Sequence, residues 1–254
     1  IMEPSGKRAI VVGGASGMAL ASVELLMKNG AKVAILDLPT SRGAEEAARL
    51  GIGFYPCNVT DFAGTEAAIR AAAADLGGLH IVVNTAGGGI AKRTLTKDGP
   101  HPIEEFQQVV NLNLVSSFNV ARIAADIMSK GEPDADGERG VIISTASIAA
   151  FEGQIGQVAY SAAKAGIAGM TLTMARDLGN VGIRAMSIAP SLFSTGITAG
   201  IPPEMAAVLT KDAAFPKRMG LPQEYALLVK GIVENPMLNG SCIRLDAGVR
   251  FSPK

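Results

Sequence analysis

Short apolar runs alternate with longer alanine-rich stretches along the chain. This alternation is typical of βαβ units, in which helices join parallel strands and cover both faces of the sheet. We predict seven strands, at residues 9–12, 32–36, 53–56, 81–83, 141–144, 184–188 and 242–245. Helices are predicted near residues 19–28, 44–49, 62–75, 103–128, 157–177 and 223–234. The pattern therefore indicates a single α/β domain over residues 1–254, built on a doubly wound parallel sheet.

Two segments between the predicted elements are longer than the rest, at residues 87–102 and 191–222. In an open α/β sheet, ligands bind beyond the carboxyl ends of the strands, where such loops overhang the crevice. We therefore expect both loops to contact substrate. The second loop carries apolar side chains that suit either a cover over an acyl chain or sterol, or a helix core: Leu192, Phe193, Ile197, Ile201, Met205, Leu209 and Phe215.

Charge and composition narrow the class of ligand. The chain has 23 basic and 23 acidic residues, so no net field draws it to nucleic acid or to an anionic membrane surface. Apolar runs stay well below the roughly 18 residues of a membrane span. Two cysteines, Cys57 and Cys242, are too few for a disulfide framework. We expect a small-molecule ligand and, with no targeting segment ahead of the first strand, a cytoplasmic location.

A glycine-rich run, residues 12–19, stands where the first predicted strand turns into the first helix. Glycine there lets the backbone approach a pyrophosphate, and the N-terminus of the helix offers free N–H groups to an anion. The competing interpretation is a turn that only closes a βα unit, because glycine motifs recur by chance.

Asp37 favours the interpretation of the glycine-rich run as a cofactor site, and it also indicates which cofactor binds there. It ends the second strand 24 residues after Gly13, where a carboxylate accepts hydrogen bonds from the adenosine ribose and repels a 2′-phosphate. NAD is therefore expected rather than NADP, and the absence of a basic residue at Ser16 and Leu38 agrees. Arg42 is the nearby residue that argues otherwise. The alternative for Asp37 is an exposed turn carboxylate.

Asparagines follow the next two strands. Asn58 and Val59 come after the third strand, where Asn58 can bond the adenine amino group. Asn84 comes after the fourth, and the small residues behind it leave room for the ribose and diphosphate. The alternative for Asn84 is a brace within the sheet.

Tyr160 and Lys164 lie four residues apart in an alanine-rich predicted helix, so their side chains project from one face. A phenol ordinarily titrates near pH 10, and a neighbouring ammonium lowers that pKa. We therefore expect Tyr160 to act as general base in alcohol oxidation and as general acid in ketone reduction. A lone pair of this kind more often reflects a tyrosine with a snorkelling lysine beside it.

Ser147 follows the fifth strand and can donate a hydrogen bond to a substrate oxygen that gains negative charge. Asn113, or else Asn111, can hold a water that links Lys164 to solvent. The two histidines, His80 and His101, do not suggest a catalytic triad or a zinc site, so no metal is expected.

This ordered set of motifs resembles the short-chain dehydrogenase/reductase family over nearly the whole chain. The family's glycine motif matches residues 12–19, its Asn-Asn-Ala-Gly motif matches residues 84–87, and its catalytic tetrad matches Asn113, Ser147, Tyr160 and Lys164. The alignment selects Asn113 over Asn111. The resemblance implies a Rossmann-type fold. The cofactor-binding residues expected from the motifs and the resemblance together are Gly13, Ser16, Gly17, Met18, Asp37, Asn58, Val59, Asn84, Thr85, Ala86, Gly87, Tyr160, Lys164, Pro190, Phe193 and Thr195.

Within the family, residues 36–39, 149–154, 169–172, 175–178 and 234–236 resemble the type 2 3-hydroxyacyl-CoA dehydrogenases, a group also named for 17β-hydroxysteroids. The resemblance implies NAD-dependent interconversion of a 3-hydroxyacyl-CoA and a 3-ketoacyl-CoA, or else of a hydroxysteroid or another apolar alcohol, by a homotetramer. Four positions depart from the family pattern: Val12, Ala19, Asn58 and Ser191. None belongs to the tetrad, so we expect these departures to affect cofactor affinity more than catalysis.

Two further hypotheses concern partners. Lys92, Arg93 and Lys97 in the first long loop can meet the phosphates of CoA, although exposed basic residues are usually only solvated. The alternative from another class is an NAD(H)-binding interaction or sensor protein with little catalysis, and the intact tetrad argues against it.

Overall fold

The computed structural model describes residues 1–253, and the side chains of Ile197 and Ala199 lie outside the described part. Its central element is a sheet in which the seven strands pair in parallel in the order β3-β2-β1-β4-β5-β6-β7. The strands are β1 (Arg8–Val12), β2 (Lys32–Asp37), β3 (Gly53–Pro56), β4 (Ile81–Asn84), β5 (Gly140–Thr145), β6 (Ile183–Pro190) and β7 (Cys242–Leu245). The predicted doubly wound sheet and all its predicted strands are thus confirmed.

The helices join these strands and also match the predicted positions, with one interruption. They are α1 (Gly17–Lys28), α2 (Gly43–Leu50), α3 (Phe62–Leu76), α4 (Ile103–Val110), α5 (Ser116–Ser129), α6 (Val158–Leu178), α7 (Pro203–Leu209) and α8 (Pro222–Glu234). The predicted helix 103–128 is divided by a π-helical turn, Asn111–Val115, because a backbone irregularity of this kind leaves no trace in the hydrophobic pattern.

Both long loops contain structure that the pattern did not predict. A short hairpin, Leu95–Thr96 with Gly99–Pro100, stands in the first loop. The second loop holds α7 and a 3₁₀ turn, Gly196–Gly200. These elements are too short for hydrophobic periodicity to identify them. The described part of the second loop is therefore folded over much of its length.

Two apolar layers enclose the sheet, because alternate side chains of each strand point to opposite faces. Ile10 and Val12 of β1 pack with Ile69 of α3, Ile123 of α5 and other residues of that face. Ala9 and Val11 pack on the other face with side chains of α1 and α8. No helix within residues 1–253 is long and apolar enough to cross a membrane.

The strand order reverses between β1 and β4, since β2 and β3 lie on one side of β1 and the later strands on the other. The connections after β1 and β4 therefore diverge and leave a crevice at their carboxyl ends. Gly13, Asp37, Asn84 and Ser147 stand at or just after the carboxyl ends of β1, β2, β4 and β5. The fold thus gathers the predicted motifs at one edge of the sheet.

Arg184 connects the start of β6 to the end of α8 at the opposite edge of the sheet. Its guanidinium is buried and pairs with the buried Glu138 at 2.7 Å. It also donates to the carbonyl oxygens of Ile232 and Val233 in the last turn of α8, at 2.8 and 2.9 Å. Carbonyls at a helix end lack partners within the helix, so one side chain here satisfies both a buried carboxylate and the end of α8.

We predict that Arg184→Met lowers the free energy of unfolding by about 3–5 kcal/mol, because it leaves Glu138 as a buried, unpaired charge. Urea unfolding followed by circular dichroism measures the change. Arg70→Met is the matched control, since Arg70 pairs with Glu66 and Asp126 at an exposed surface and its loss has a much smaller effect. Equal losses in the two variants contradict the interpretation.

Candidate active site

A groove of about 510 Å³ opens at the crevice between β1 and β4. Its walls come from the connections after β1, β2, β3 and β4, together with Leu112 and Thr195. The predicted cofactor residues that line it are Gly13, Ser16, Gly17, Met18, Asp37, Asn58, Val59, Thr85, Ala86, Gly87 and Thr195. The structure therefore brings most of the predicted set to one surface. Val12, Ala19, Leu38, Cys57 and Leu112 also line it without having been assigned a role.

The glycine-rich turn packs closely against two other segments of the same chain. Gly13 has φ +79°, and a Cβ there would stand 2.7 Å from the Thr85 hydroxyl. Gly17 has φ +54°, and a Cβ there would stand 3.0 Å from the Thr195 side chain. Only glycine adopts these angles readily and leaves this space open.

The N-terminus of α1 faces the same groove without neutralising groups. Its N-cap, Ser16, makes no side-chain cap, and its first turn contains no acidic residue. The free N–H groups and the positive end of the helix dipole are therefore available to an anion. A dinucleotide with its diphosphate at this turn fits the residues present.

Asp37 is the last residue of β2 and lines the groove. One carboxylate oxygen accepts from the Ala15 backbone N–H at 2.9 Å, and the other accepts from the Leu38 N–H at 2.7 Å. These bonds hold the carboxylate at the groove with further acceptor positions free. The alternative of a turn carboxylate without a site is thus disfavoured by its position.

The two asparagines differ in their surroundings. Asn58 is exposed at the groove, and its side-chain oxygen accepts from the backbone and hydroxyl of Thr60 at 3.1 and 2.8 Å. Asn84 is buried away from the groove, where it donates to Ser117 at 3.2 Å and accepts from the Ala86 N–H at 3.1 Å. The contacts of Asn84 are those of the brace that we kept as its alternative.

Pro190, Phe193 and Thr195 follow β6. Pro190 ends the strand and is buried. The Phe193 ring packs in the core with Val229 and other apolar residues, and Gly220 lies directly against it. Of the three, Thr195 is the one whose position lines the groove.

Tyr160, in the first turn of α6, is half-buried, and its hydroxyl lies close to Ser147. Burial raises the pKa of Tyr160, and the nearby Ser147 hydroxyl opposes that rise. This direction is the reverse of the one we expected from Lys164. The reason is that the ring is desolvated while the Lys164 ammonium stands 5.6 Å from its centre.

Lys164, one turn further along α6, is 3% exposed. Its ammonium donates to the Thr145 backbone carbonyl at 2.8 Å. Burial lowers the pKa of Lys164 to about 8. Its charge is therefore sensitive to pH close to neutrality.

Asn113 lies in the π-helical turn and is fully buried. Its side-chain nitrogen donates to the carbonyls of Gly88 and Val109 at 2.6 and 2.8 Å, and its oxygen accepts from the Gly88 N–H at 3.1 Å. Both amide protons are thus engaged with protein, which leaves the second acceptor position of the side-chain oxygen for the water that we expected. In the structure, Asn113 fixes the loop that begins at Gly87.

A second cavity, of about 600 Å³, lies between the first long loop and the segment between Ser147 and Tyr160. Arg93, Leu95, Phe151, Gln154, Val158 and Ser161 are among the residues that line it. Of the three basic residues expected near CoA, Lys92 is paired with Glu105 at 2.6 Å. Arg93 and Lys97 are exposed and have no ion pair within residues 1–253.

The apolar residues expected to cover a substrate differ in exposure, and Leu192 and Ile201 are half-buried. Met205, Leu209 and Phe215 are exposed, by 55%, 42% and 84%. Phe193 belongs to the core, as its ring contacts show. The side chain of Ile197 lies outside the described residues. Met205, Leu209 and Phe215 are thus not part of a helix core, and their contact with substrate stays a prediction.

Thr145 is a site residue that sequence reasoning missed. Its carbonyl holds Lys164, and its hydroxyl donates to the Asn84 carbonyl at 2.7 Å. Its position at the end of β5, two residues before Ser147, was the available signal. Gly88 and Gly89 were missed as well, although a Cβ on Gly89 would stand 3.0 Å from the Tyr160 ring.

Comparison with known proteins agrees with this geometry. Residues 7–206 match the family model described as short chain dehydrogenase. A 3-hydroxyacyl-CoA dehydrogenase type-2 of Bos taurus is 48% identical over 252 residues, covering 98% of this chain and 97% of that protein. A protein of the same name from Drosophila melanogaster is 48% identical over 249 residues, covering 96% of this chain and 98% of the relative.

A solved structure gives the same result in three dimensions. The crystal structure of 3-hydroxyacyl-CoA dehydrogenase type-2 from Mycobacterium avium superimposes with a TM-score of 0.94 at 40% sequence identity. The match covers 100% of both chains. The resemblance found in the motifs is therefore confirmed along the whole length of the sequence.

The lowered pKa of Lys164 predicts that stability rises with pH. The unfolded lysine keeps its proton up to its ordinary pKa of 10.5, whereas the folded one releases it near 8. The unfolded state therefore binds more protons in this window, and raising the pH favours folding. Between about pH 7 and pH 9.5 the contribution to the free energy of unfolding is about 2 kcal/mol.

Urea unfolding of the wild type and of Lys164→Met at several pH values isolates this contribution, because the other titrating groups are common to both proteins. We expect the variant to lack the rise. Lys28→Met, at an exposed position, is the control and should retain it. Parallel pH profiles for the wild type and Lys164→Met count against the buried ammonium.

Proposed function

The chain belongs to the short-chain dehydrogenase family and is an oxidoreductase that acts on CH–OH groups with a nicotinamide nucleotide cofactor, and from this premise we propose its substrate and mechanism. The substrate pair that we propose is a 3-hydroxyacyl-CoA and its 3-ketoacyl-CoA. Similarity to relatives of that name over 96–98% of the chain supports this choice. The observation that carries the mechanism is the contact of Tyr160 with Ser147, with the Lys164 ammonium 5.6 Å from the Tyr160 ring centre.

The proposed roles follow from the chemistry of each side chain. When bound, the nicotinamide donates or accepts the hydride. Ser147 donates a hydrogen bond to the substrate oxygen, where negative charge develops as a ketone is reduced. Tyr160 then donates its proton to that oxygen, and in the opposite direction it accepts the proton of the alcohol.

Burial of Tyr160 supports the proton-donor role at neutral pH. A raised pKa keeps the phenol protonated, which is the form needed for ketone reduction. Oxidation needs phenolate, so its rate should rise with pH. A charged Lys164 stabilises that phenolate, and Asn113 holds the Gly88 backbone beside the site.

NAD is the cofactor form that we propose. The support is the Asp37 carboxylate at the groove, which suits ribose hydroxyls and repels a 2′-phosphate. The cofactor's diphosphate would lie at Gly13, Gly17 and the N-terminus of α1. Its nicotinamide end would lie toward Tyr160 and Lys164.

Arg93 and Lys97 are the residues that we propose for the CoA phosphates. Both are exposed and unpaired among the described residues, whereas Lys92 already pairs with Glu105. Arg93 also lines the second cavity, together with the apolar side chains of Leu95 and Phe151. A cation at the edge of an apolar surface suits an acyl thioester that ends in a phosphorylated nucleotide.

A homotetramer in the cytoplasm completes the proposal. Phe118 on α5 and Leu172 on α6 are 51% and 46% exposed in the single chain, and apolar side chains of this size favour burial against another subunit. Cys57 and Cys242 are both free thiols, as is usual in a reducing compartment.

Acetoacetyl-CoA with NADH is the test reaction. We predict that the wild type oxidises NADH and that Tyr160→Phe lowers kcat by about 10²–10⁴-fold, because the ring stays while its proton is lost. NADH affinity, measured by fluorescence titration, should persist. Tyr55→Phe removes a hydroxyl that binds Asp75 at the sheet edge and should leave kcat unchanged.

The outcomes separate mechanism from substrate. An active Tyr160→Phe refutes the assigned proton donor. Turnover of hydroxysteroids without turnover of acetoacetyl-CoA retains the mechanism and moves the substrate to the alternative class. NADH binding without turnover of any alcohol or ketone supports an interaction or sensor protein instead.

Asp37→Asn tests the choice of cofactor. The amide keeps an oxygen for the Ala15 N–H but removes the charge, so the kcat/KM ratio for NADPH over NADH should rise by about tenfold or more. Steady-state kinetics with both cofactors measures the ratio. Asp177→Asn, at an exposed position of α6, is the charge-matched control. A ratio that does not move excludes Asp37 as the discriminating group.

A further inference from the structure

Tyr225 is a buried polar residue that the mechanism above does not use. It lies in α8 and is 0% exposed, and its ring packs among Val229, Ile232 and other residues of the core. Its hydroxyl stands 2.7 Å from the Thr145 hydroxyl, within a fully buried contact. A buried hydroxyl without a hydrogen-bond partner destabilises the folded state, so this contact contributes to the stability of the protein.

Counting protons fixes the direction of this hydrogen bond. The Thr145 hydroxyl has one proton, and the Asn84 carbonyl at 2.7 Å has none to give. Thr145 therefore donates to Asn84, and Tyr225 donates to Thr145. Burial raises the pKa of Tyr225, so the phenol keeps the proton that this bond requires.

The backbone carbonyl of Thr145 connects this hydrogen bond to the active site. Its carbonyl accepts from the Lys164 ammonium at 2.8 Å, while its side chain is held by Asn84 and Tyr225. Thr145 is also the last residue of β5, where the chain leaves the sheet toward Ser147. The location of this one residue thus determines where the ammonium finds its acceptor.

We propose that Tyr225 is a positioning residue that acts through Thr145 to hold the Lys164 ammonium beside Tyr160. The inference deepens the proposed function and rests on the roles given there to Lys164 and Tyr160. Loss of the Tyr225 hydroxyl frees one side of Thr145. Its carbonyl then becomes a less well-placed acceptor, and the charged form of Lys164 is less stabilised.

The surroundings of Lys164 make this contact decisive. Burial is the influence that lowers its pKa, and no charged side chain of the described residues opposes it. The titratable groups that face it are Tyr160 on its own helix and, through Thr145, Tyr225 on α8. On the side of the α4–α5 segment, a Cβ on Gly87 would stand 3.2 Å from the Lys164 nitrogen and 2.5 Å from the Asn113 side-chain oxygen, so the residue nearby is an uncharged amide.

Tyr225→Phe tests the proposal by deleting a single oxygen. We expect kcat for alcohol oxidation at neutral pH to fall about three- to tenfold, because the acid limb of the pH–rate profile moves to higher pH by about 0.5–1. NADH affinity should stay within about twofold of the wild type. Tyr55→Phe, with the same deletion at the sheet edge, should leave the profile in place.

A second readout needs no turnover. The side-chain signals of ¹³C-labelled lysine, with Lys164 identified by its absence in Lys164→Met, give the titration midpoint of Lys164 directly. We expect Tyr225→Phe to move this midpoint below its value in the wild type. A midpoint that does not move overturns the proposal, whether or not acetoacetyl-CoA proves to be a substrate.

Variants of Thr145 separate positioning from general stability. Thr145→Ser keeps the hydroxyl and should keep the wild-type midpoint, whereas Thr145→Val loses it and should behave like Tyr225→Phe. A fall in kcat or in urea resistance with an unchanged midpoint assigns Tyr225 a merely structural role. Failure of the proposed function is seen separately, as an inactive wild type or an active Tyr160→Phe.

Discussion

A buried ammonium group is the constraint on which the rest of the site depends. Lys164 is 3% exposed and donates to one carbonyl, that of Thr145. A cation in such a place persists only where an acceptor is held in a fixed position, since desolvation favours its neutral form. The end of β5, the start of α6 and the loop after β4 are consequently arranged around one charge.

The two ends of the crevice rely on different parts of the chain. At the cofactor end, the backbone dominates: glycines at positive φ and the open N-terminus of α1 create space and partial charge. At the catalytic end, side chains dominate, and their properties follow from burial. The same burial raises the pKa of Tyr160 and lowers that of Lys164, so the two groups titrate further apart than a free tyrosine and a free lysine do.

Sequence patterns predicted the parts of this arrangement that repeat or that carry a motif. The strands follow from short apolar runs, and the tetrad follows from family resemblance. Thr145, Tyr225 and Arg184 were not predicted, because a buried polar residue looks like any other residue until its partner from a distant element is known. The predicted direction of the Tyr160 pKa shift was wrong for a related reason. The spacing of the two residues places Lys164 on the same helix face, but desolvation of the tyrosine depends on the residues packed around it.

The π-helical turn at Asn111–Val115 fixes the number of residues that can join α4 to α5. Each residue of a regular helix turns the chain by about 100°, so the extra residue in this turn sets the rotation of all of α5 relative to α4. Deleting one residue here would restore regular winding but swing Val120 and Ile123 out of the core that they share with α3. Insertions and deletions that a surface loop tolerates are therefore excluded from this segment, and its residue count is as much a part of the site as Asn113.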